Sequence, residues 1–432
     1  MRVSHVALDD FRSYRHTVVE LPPGTTVLVG RNGQGKTNLV EAIAYLSAFS
    51  SHRVAAEGAL VRLPRGDETA PAGAVIRVRL VSGEHGDADE GGTREQVIEL
   101  EIVRGRANRA RLNRTVLRPR EIVGMVRTVV FAPEDLQLVR GDPAVRRHFL
   151  DDLATQLRPT LTVVRSDFDR VARQRAALMK QASARMRRGM APDLSTLEVW
   201  DQQFAALSAQ LTAARAALVE QLRGPVAAAY ARVSDSPQEL RISLDASVDR
   251  VLARDVGAGA STAADTGGGT ATGTSGTAQD ARSGPSAGAD TDLGDVGAQT
   301  ARLLEALAAV RGREVERGVN LVGAHRDDLV LDLGGMPVKG YASHGESWSV
   351  ALSLRLGAFA VLEEDGEEPI LVLDDVFAEL DAERREGLAE MVSDADQVLV
   401  TAAVADDVPE SLQGHRLVVH ADEQEGSVVS DA

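Results

Sequence analysis

The chain has 432 residues, with 64 acidic against 48 basic side chains and a net charge of -16. That balance excludes a protein that coats nucleic acid with its whole surface, so any polyanionic partner must meet a local basic patch. Cysteine is absent, which excludes disulfides and thiolate metal sites and leaves carboxylates, hydroxyls and phosphates as the means of holding a metal.

The length suggests about three domain-sized units. Met1–Val6 lacks the apolar core of a signal peptide, and the most apolar helical stretch, around Val350 to Leu362, carries Arg355 and is too short to span a bilayer. The expectation is a soluble cytoplasmic protein with no membrane partner. Val3–Leu8 and Thr17–Leu21 alternate like strands, and Pro22-Pro23-Gly24 is a turn before a further strand, Val27-Leu28-Val29. That strand runs into Gly30-Arg31-Asn32-Gly33-Gln34-Gly35-Lys36-Thr37, a G-x-x-x-x-G-K-T loop, and Asn38–Leu46 continues with apolar residues at helical spacing. Strand, loop and helix together form a phosphate-binding unit. Its glycines aim backbone N–H groups at an anion, and the helix start adds partial positive charge. Lys36 then reaches the β and γ phosphates and the Thr37 hydroxyl holds Mg²⁺. Lysine occurs only at positions 36, 180 and 339 in a chain that otherwise uses arginine, so a compact ammonium at this position is a chemical choice.

Ala74–Leu80 and Gln96–Val103 alternate as a hairpin with a long polar tip. Arg104, Arg106, Arg109, Arg111, Arg114, Arg118 and Arg120 follow with no acid between them. They read either as a solvated strand face or as a DNA footprint centred on Arg109, Arg111 and Arg114. From Asp151 to Tyr230 the pattern is helical, with Leu161, Val164, Phe168 and Val171 on one stripe. Trp200, Phe204, Leu207, Leu211, Leu218 and Leu222 form another. Two long antiparallel helices broken at Arg188–Pro192 satisfy both, forming an arm whose tip carries Arg185, Arg187 and Arg188 as a second, less favoured DNA candidate. Gly257 to about Gly297 holds almost no large apolar residue and reads as a disordered insertion. The expected division is therefore 1–150, 151–250, 251–300 and 301–432, with an acidic, frayed end from Asp422.

Ile370–Leu373 is an apolar run ending in Asp374 and Asp375, which reads as a strand buried on both faces whose acids lie at the ligand-binding end of a parallel sheet. Asp374 completes the Mg²⁺ shell, and Asp375 orients or deprotonates the attacking water. Ser343 and Glu346 make an S-x-x-E capping box. The alternative is a helix start at which Ser343 binds a γ-phosphate.

The order of these parts resembles the ABC-type heads of the SMC/Rad50 superfamily and, within it, the RecF family of recombination-mediator ATPases. Phe11–Tyr14, Asn32–Ile43, Phe131–Leu136, Gly323–Leu329 and Leu373–Asp381 look like that family's blocks. The resemblance implies an α/β ABC-type ATPase head of mixed sheets and helices with an inserted α-helical arm. It implies a weak, DNA-stimulated ATPase that uses ATP and Mg²⁺, with Asp375 and Lys36 catalytic. The nucleotide would be held by Gly30 to Asn38 together with Arg12, Ser343 and Gly345, and Mg²⁺ by Thr37 and Asp374. It further implies ATP-driven homodimerisation on duplex DNA near single-strand gap junctions, release on hydrolysis, and recombination mediator proteins as partners. The chain departs from the pattern in reading Ser343-His344-Gly345-Glu346-Ser347-Trp348 where Ser-x-Gly-Gln-Gln-Arg is usual, and Ala324 where Pro is usual. No switch histidine follows Gln397–Thr401, and Gln137 lies nearest to an unassigned Gln-loop role. The rival readings are the ATPase subunit of a membrane transporter, a small-molecule kinase, or an interaction protein that binds ATP without hydrolysing it.

Overall fold

The computed structural model describes residues 1–51, 53–54, 56–64, 68–83, 94–234, 236–262 and 293–432. The N-terminal strands are β1 (Arg2–Phe11), β2 (Tyr14–Glu20), β3 (Gly24–Val29), β4 (Gly73–Ser82), β5 (Arg94–Val103), β6 (Arg109–Leu112), β7 (Thr115–Leu117) and β8 (Thr128–Phe131). Three short strands, β9 (Leu240–Asp245), β10 (Asp328–Leu333) and β11 (Met336–Pro337), make a small sheet of their own. The chain then returns to the large sheet with β12 (Ile370–Asp374), β13 (Gln397–Ala402), β14 (His415–Asp422) and β15 (Gly426–Asp431).

The large sheet has the order β7-β6-β5-β4-β1-β2-β15-β14-β3-β13-β12-β8. Its two halves differ in chemistry. β14, β3, β13, β12 and β8 pair in parallel, and Ile370–Leu373 is fully buried between two such neighbours, which is why its sequence is apolar without alternation. β1, β2, β4, β5, β6 and β7 pair antiparallel. There Ala74, Ile76, Val78 and Leu80 turn to the core while Arg77 and Arg79 do not. The tip of the β4–β5 hairpin lies outside the described residues. The helix Lys36–Ala48 is buried along most of its length, and Leu39, Val40, Ile43 and Leu46 join the sheet's core. Each such side chain contributes about 1.5–3 kcal/mol, so the element carrying the phosphate loop is firmly held. The carboxylate of Glu41 on this helix is offset by Arg12, at 2.6 and 2.8 Å, and by the Ser51 hydroxyl at 2.5 Å.

The described residues form two compact units: Met1–Thr162, Leu218–Ser243 and Val330–Ala432 in the first, Val163–Ala217 and Leu244–Leu329 in the second. This division differs from the one read off the sequence, because the helix Val296–Arg317 belongs with the arm helices and not with the C-terminal head. Its Leu303, Ala306, Leu307 and Val310 pack in one core with Phe168, Val171 and Phe204. The long helices span Leu161–Arg187 and Leu197–Val233, with the expected break between them. The expected disordered insertion, Gly257 to about Gly297, overlaps two helices, Ser247–Thr262 and Val296–Arg317; its residues 263–292 lie outside the described residues.

Inside the second unit, buried charges are matched to partners. The Arg175 guanidinium donates to Asp201, Glu314 and Asn320 at 2.7, 2.6 and 2.7 Å and stands over the Phe204 ring. Asp327, from the Gly323–Leu329 block, accepts from Thr212 Oγ1 and the Ser247 N–H, each at 2.8 Å, with Arg215 at 3.4 Å. Burial holds its carboxyl pKa above the ordinary range, against the opposing pull of Arg215. The end of the chain is a correction: it is not frayed from Asp422, since Gly426–Asp431 is a strand paired with β14 residue by residue and joined to β2 at Gly426.

Candidate nucleotide-binding site

The phosphate loop connects β3 to the helix Lys36–Ala48 at the carboxyl end of the parallel strands. Its glycines answer to geometry. A Cβ on Gly30 would stand 2.2 Å from the Val419 carbonyl oxygen, and Gly35, the residue before the helix, has φ +113, a conformation costly for any other residue. The Lys36 side chain is 3% exposed. Its Nζ donates to the Gly30 carbonyl at 2.7 Å and lies 3.9 Å from Asp375 Oδ1.

Sheet register brings the second half of the site here. β13 lies between β3 and β12, and Thr401 is paired with Leu28 on one side and Asp374 on the other. Asp374 is therefore separated from the root of the phosphate loop by a single intervening strand, and the Thr37 hydroxyl donates to its Oδ1 at 2.9 Å across 337 positions of sequence. Thr401 Oγ1 donates to the same oxygen at 2.7 Å and accepts the Asp375 N–H at 2.9 Å. One hydroxyl thus fixes both acids, a role that sequence reasoning missed; the available signal was its position at the end of the strand beside the Asp pair. Asp375 leaves the strand with φ 50, the left-handed region. Its carboxyl pKa is raised, first by burial and then by the charges of Asp374 and Glu134, while Lys36 pulls it down. A hydroxyl beside a buried carboxylate is an oxygen set that suits a hard cation such as Mg²⁺.

The remaining candidates are placed as follows. Arg12 lies in a left-handed turn with its guanidinium committed to Glu41 and to the Ala59 carbonyl. Asn38 donates to Ser13 Oγ at 2.7 Å and accepts from Arg53 at 2.9 Å. Gln34 accepts the Ala421 N–H, and Arg31, Asn32 and Gly33 are exposed or nearly so. Ser343 caps the helix His344–Glu364 with Glu346 as the expected box, and the pKa of Glu346 is lowered by the Ser343 N–H it accepts. Ser343 is exposed at that helix start, where Arg140 approaches His344 at 3.1 Å. Gly345 lies against Arg384, whose own carboxylate partner is Asp381. Arg384, absent from the sequence reading, ties the Ala378–Asp381 segment to this helix through Ser349 Oγ at 3.0 Å.

The two arginine clusters differ. β6 pairs with β5, and Arg109 and Arg111 face Glu101 and Glu99 across the strands, while Arg114 occupies the hairpin turn with φ 72. The acids missing from the linear stretch are supplied by the neighbouring strand. At the arm tip, Arg185 donates to the Ala191 carbonyl, and Arg187 and Arg188 are exposed with no ion pair among the described residues.

A model of the RecF/RecN/SMC N-terminal domain matches residues 2–425. The chain is 52% identical over 428 residues to the DNA replication and repair protein RecF of Beutenbergia cavernae, covering 97% of this chain and 98% of that one. It is 47% identical over 424 residues to RecF of Frankia alni, covering 98% and 99%. A solved structure described as the recombination mediator protein RecF with ATP in the RecFOR pathway superposes with a TM-score of 0.75 at 23% identity, covering 100% of this chain and 97% of that one. An Smc head bound to the C-terminal winged-helix domain of ScpA superposes at 0.50 with 14% identity, covering 100% and 98%. These structural likenesses establish the fold, an ABC-type head with a helical arm.

Proposed function

The chain belongs to the RecF family within the RecF/RecN/SMC N-terminal domain proteins, and we propose that it is an ATP-dependent DNA-binding protein of replication and recombinational repair. The observation that carries this reading is the 2.9 Å bond between Thr37 and Asp374, which joins the phosphate loop to the acid pair. The ammonium of Lys36 turns from the Gly30 carbonyl to the β and γ phosphates, and the loop's N–H groups take the remaining oxygens. Thr37 and Asp374 would hold Mg²⁺, which neutralises phosphate charge when bound. Asp375, with its raised pKa, accepts a proton from the attacking water or orients it.

Hydrolysis in this scheme is a slow switch. The helix start at Ser343 is exposed and directs partial positive charge outward, so a second head closing on ATP would receive its γ-phosphate there. The dimer so formed holds duplex DNA near single-strand gaps in the cytoplasm, hydrolysis releases it, and mediator proteins load recombinase. No described helix is long and apolar enough to cross a membrane.

The test is light scattering after size exclusion in ATP, in ADP and without nucleotide, with and without gapped DNA. Dimers only in ATP, strengthened by DNA, are expected. Ser343→Arg should cost about 1 kcal/mol through the lost cap, keep nucleotide binding, and fail to dimerise. Mixed with Lys36→Met it should recover part of the ATPase activity, because one composite site remains. Full dimerisation and activity of Ser343→Arg alone would rule out a shared site.

A further inference from the structure

A cavity of about 470 Å³ opens between the helices Lys36–Ala48, Pro143–Leu157 and His344–Glu364 and the strand β8, all within the first unit. It is separate from the site described above, since none of Lys36, Thr37, Asp374 and Asp375 lines it. Ala44, Val130, Leu138, Val145 and Phe149 give it a mainly apolar wall. The Phe149 ring is held from one side by Arg355, whose guanidinium carbon stands 5.3 Å from the ring centre. A recess of this size, apolar with a few polar groups, is built like a small-molecule site.

The polar groups on its wall are unequally employed. Arg355 is spent on Asp135, to which it donates at 2.6 and 3.0 Å. Asp152 accepts from the Ser50 hydroxyl at 2.5 Å and lies 3.3 Å from His148 Nε2. Thr128 Oγ1 donates to Ser47 Oγ at 3.0 Å. Two groups remain. Gln156 is 7% exposed and its Oε1 accepts the Thr128 N–H at 2.9 Å, but its Nε2 has no hydrogen-bond partner among the described residues. Unspent donors on a buried amide are costly, and because Gln156 lines the cavity the acceptor for them must come from there. The second group is the Glu134 carboxylate, exposed at the mouth, with no hydrogen bond or ion pair among the described residues.

These two groups define an occupant. With Arg355 matched by Asp135, the charge left on the wall is negative, and a chain of net charge -16 attracts cations over anions. Gln156 is fixed at Thr128, the first residue of β8, and Glu134 follows the strand's end. A rise of about 3.3 Å per residue sets the two groups roughly 10 Å or more apart. We propose that this cavity is a second small-molecule site, for an organic cation whose ammonium pairs with Glu134, whose apolar body lies against Val145 and Phe149, and whose far end offers an acceptor to Gln156. An anion of the same shape is refused, because it would bring a second negative charge to Glu134.

Calorimetry of the full chain with three probes of one shape tests this. Para-carbamoylphenethylamine carries the ammonium, the ring and the carbonyl acceptor; phenethylamine lacks the acceptor; para-carbamoylphenylpropanoate replaces the ammonium with a carboxylate. The first should bind, the second several-fold more weakly for the lost hydrogen bond, and the third at least tenfold more weakly. Glu134→Gln should weaken the first probe about tenfold and narrow its lead over the propanoate. Ala144→Trp should fill the mouth and abolish binding. Both positions are exposed, so folding is not at stake, and the buried Gln156 is tested through the probe in place of a substitution. Saturating ATP with Mg²⁺ should leave the first probe bound. No binding of that probe at millimolar concentration, equal affinity for cation and anion, or full affinity in either variant overturns the proposal. Displacement of the probe by ATP overturns it as well, since the amine would then occupy the nucleotide site.

Discussion

Replacing Arg215 with Met tests whether the Gly323–Leu329 block is scaffold. Arg215 Nη1 lies 3.4 Å from Asp327 Oδ2 and donates to the Ala324 carbonyl at 2.6 Å, with both side chains buried. At an effective dielectric of about 20, a pair at that separation attracts by roughly 5 kcal/mol. The Thr212 and Ser247 donors remain on the carboxylate after the change, and desolvation of the guanidinium is relieved, so the expected loss is about 3–5 kcal/mol near neutral pH. The pH dependence has a definite sign. A carboxyl whose folded pKa is raised contributes stability below its unfolded pKa and loses it as pH rises through the folded value. Asp327 is raised by burial and restrained by Arg215; without Arg215 it rises further. The variant's deficit should therefore grow as pH rises above the ordinary carboxylate range, by at most about 1.4 kcal/mol per unit. Urea denaturation over that rise in pH measures it, alongside Arg215→Met combined with Asp327→Asn, which removes the stranded charge and should recover most of the loss. A deficit under about 1 kcal/mol, one that is flat with pH, or one the double variant does not relieve would refute the reasoning.

Three further outcomes are expected. Lys36→Met should fold normally and weaken ATP at least tenfold by calorimetry, because charge-assisted bonds to phosphate contribute roughly 1.5–3 kcal/mol each; wild-type affinity in the folded variant would remove this loop from the site. Asp375→Asn should keep ATP binding but lower hydrolysis about a hundredfold or more. Since the carboxyl pKa of Asp375 is raised, the parent's activity should fall away on the acid side at a pH above the ordinary carboxylate range, and a pH–rate profile of the Asn variant that kept that limb would place the titrating group elsewhere. Reversing Arg185, Arg187 and Arg188 to Glu should weaken DNA binding and flatten the slope of log affinity against log salt by up to about 2.7, at 0.9 per phosphate on duplex DNA. The same reversal at Arg109, Arg111 and Arg114 should do less, because Glu99 and Glu101 already oppose two of them; unchanged DNA affinity and slope in both variants would show two solvated faces.

The phosphate loop was legible because its glycines, its lysine and the strand before it are consecutive in the chain. The Ile370–Asp374 strand was legible because burial on both faces leaves an unbroken apolar run. Thr401 was not, since a threonine closing a strand has no signature until the register places it between Leu28 and Asp374. The expected fraying from Asp422 failed for a related reason. Gly426–Asp431 is short and polar at its ends, and its order comes from β14 and from Ser13 and Gln34, partners some 400 positions away. Local composition reports the burial of a segment on its own, and this segment is ordered by the loop it supports.

The arginine run shows the opposite error. Read linearly, the stretch from Arg104 to Arg120 has no acid and invites a polyanion, but a strand meets its neighbours across the sheet, and Glu99 and Glu101 arrive from β5. Charge counted along a strand overstates the field it presents, because every second residue faces a partner about 5 Å away. A helix tip has no such neighbour. Arg187 and Arg188 have no ion pair among the described residues for that reason, and in a chain of net charge -16 exposed arginines on such a tip are the stronger candidate for meeting a phosphate backbone.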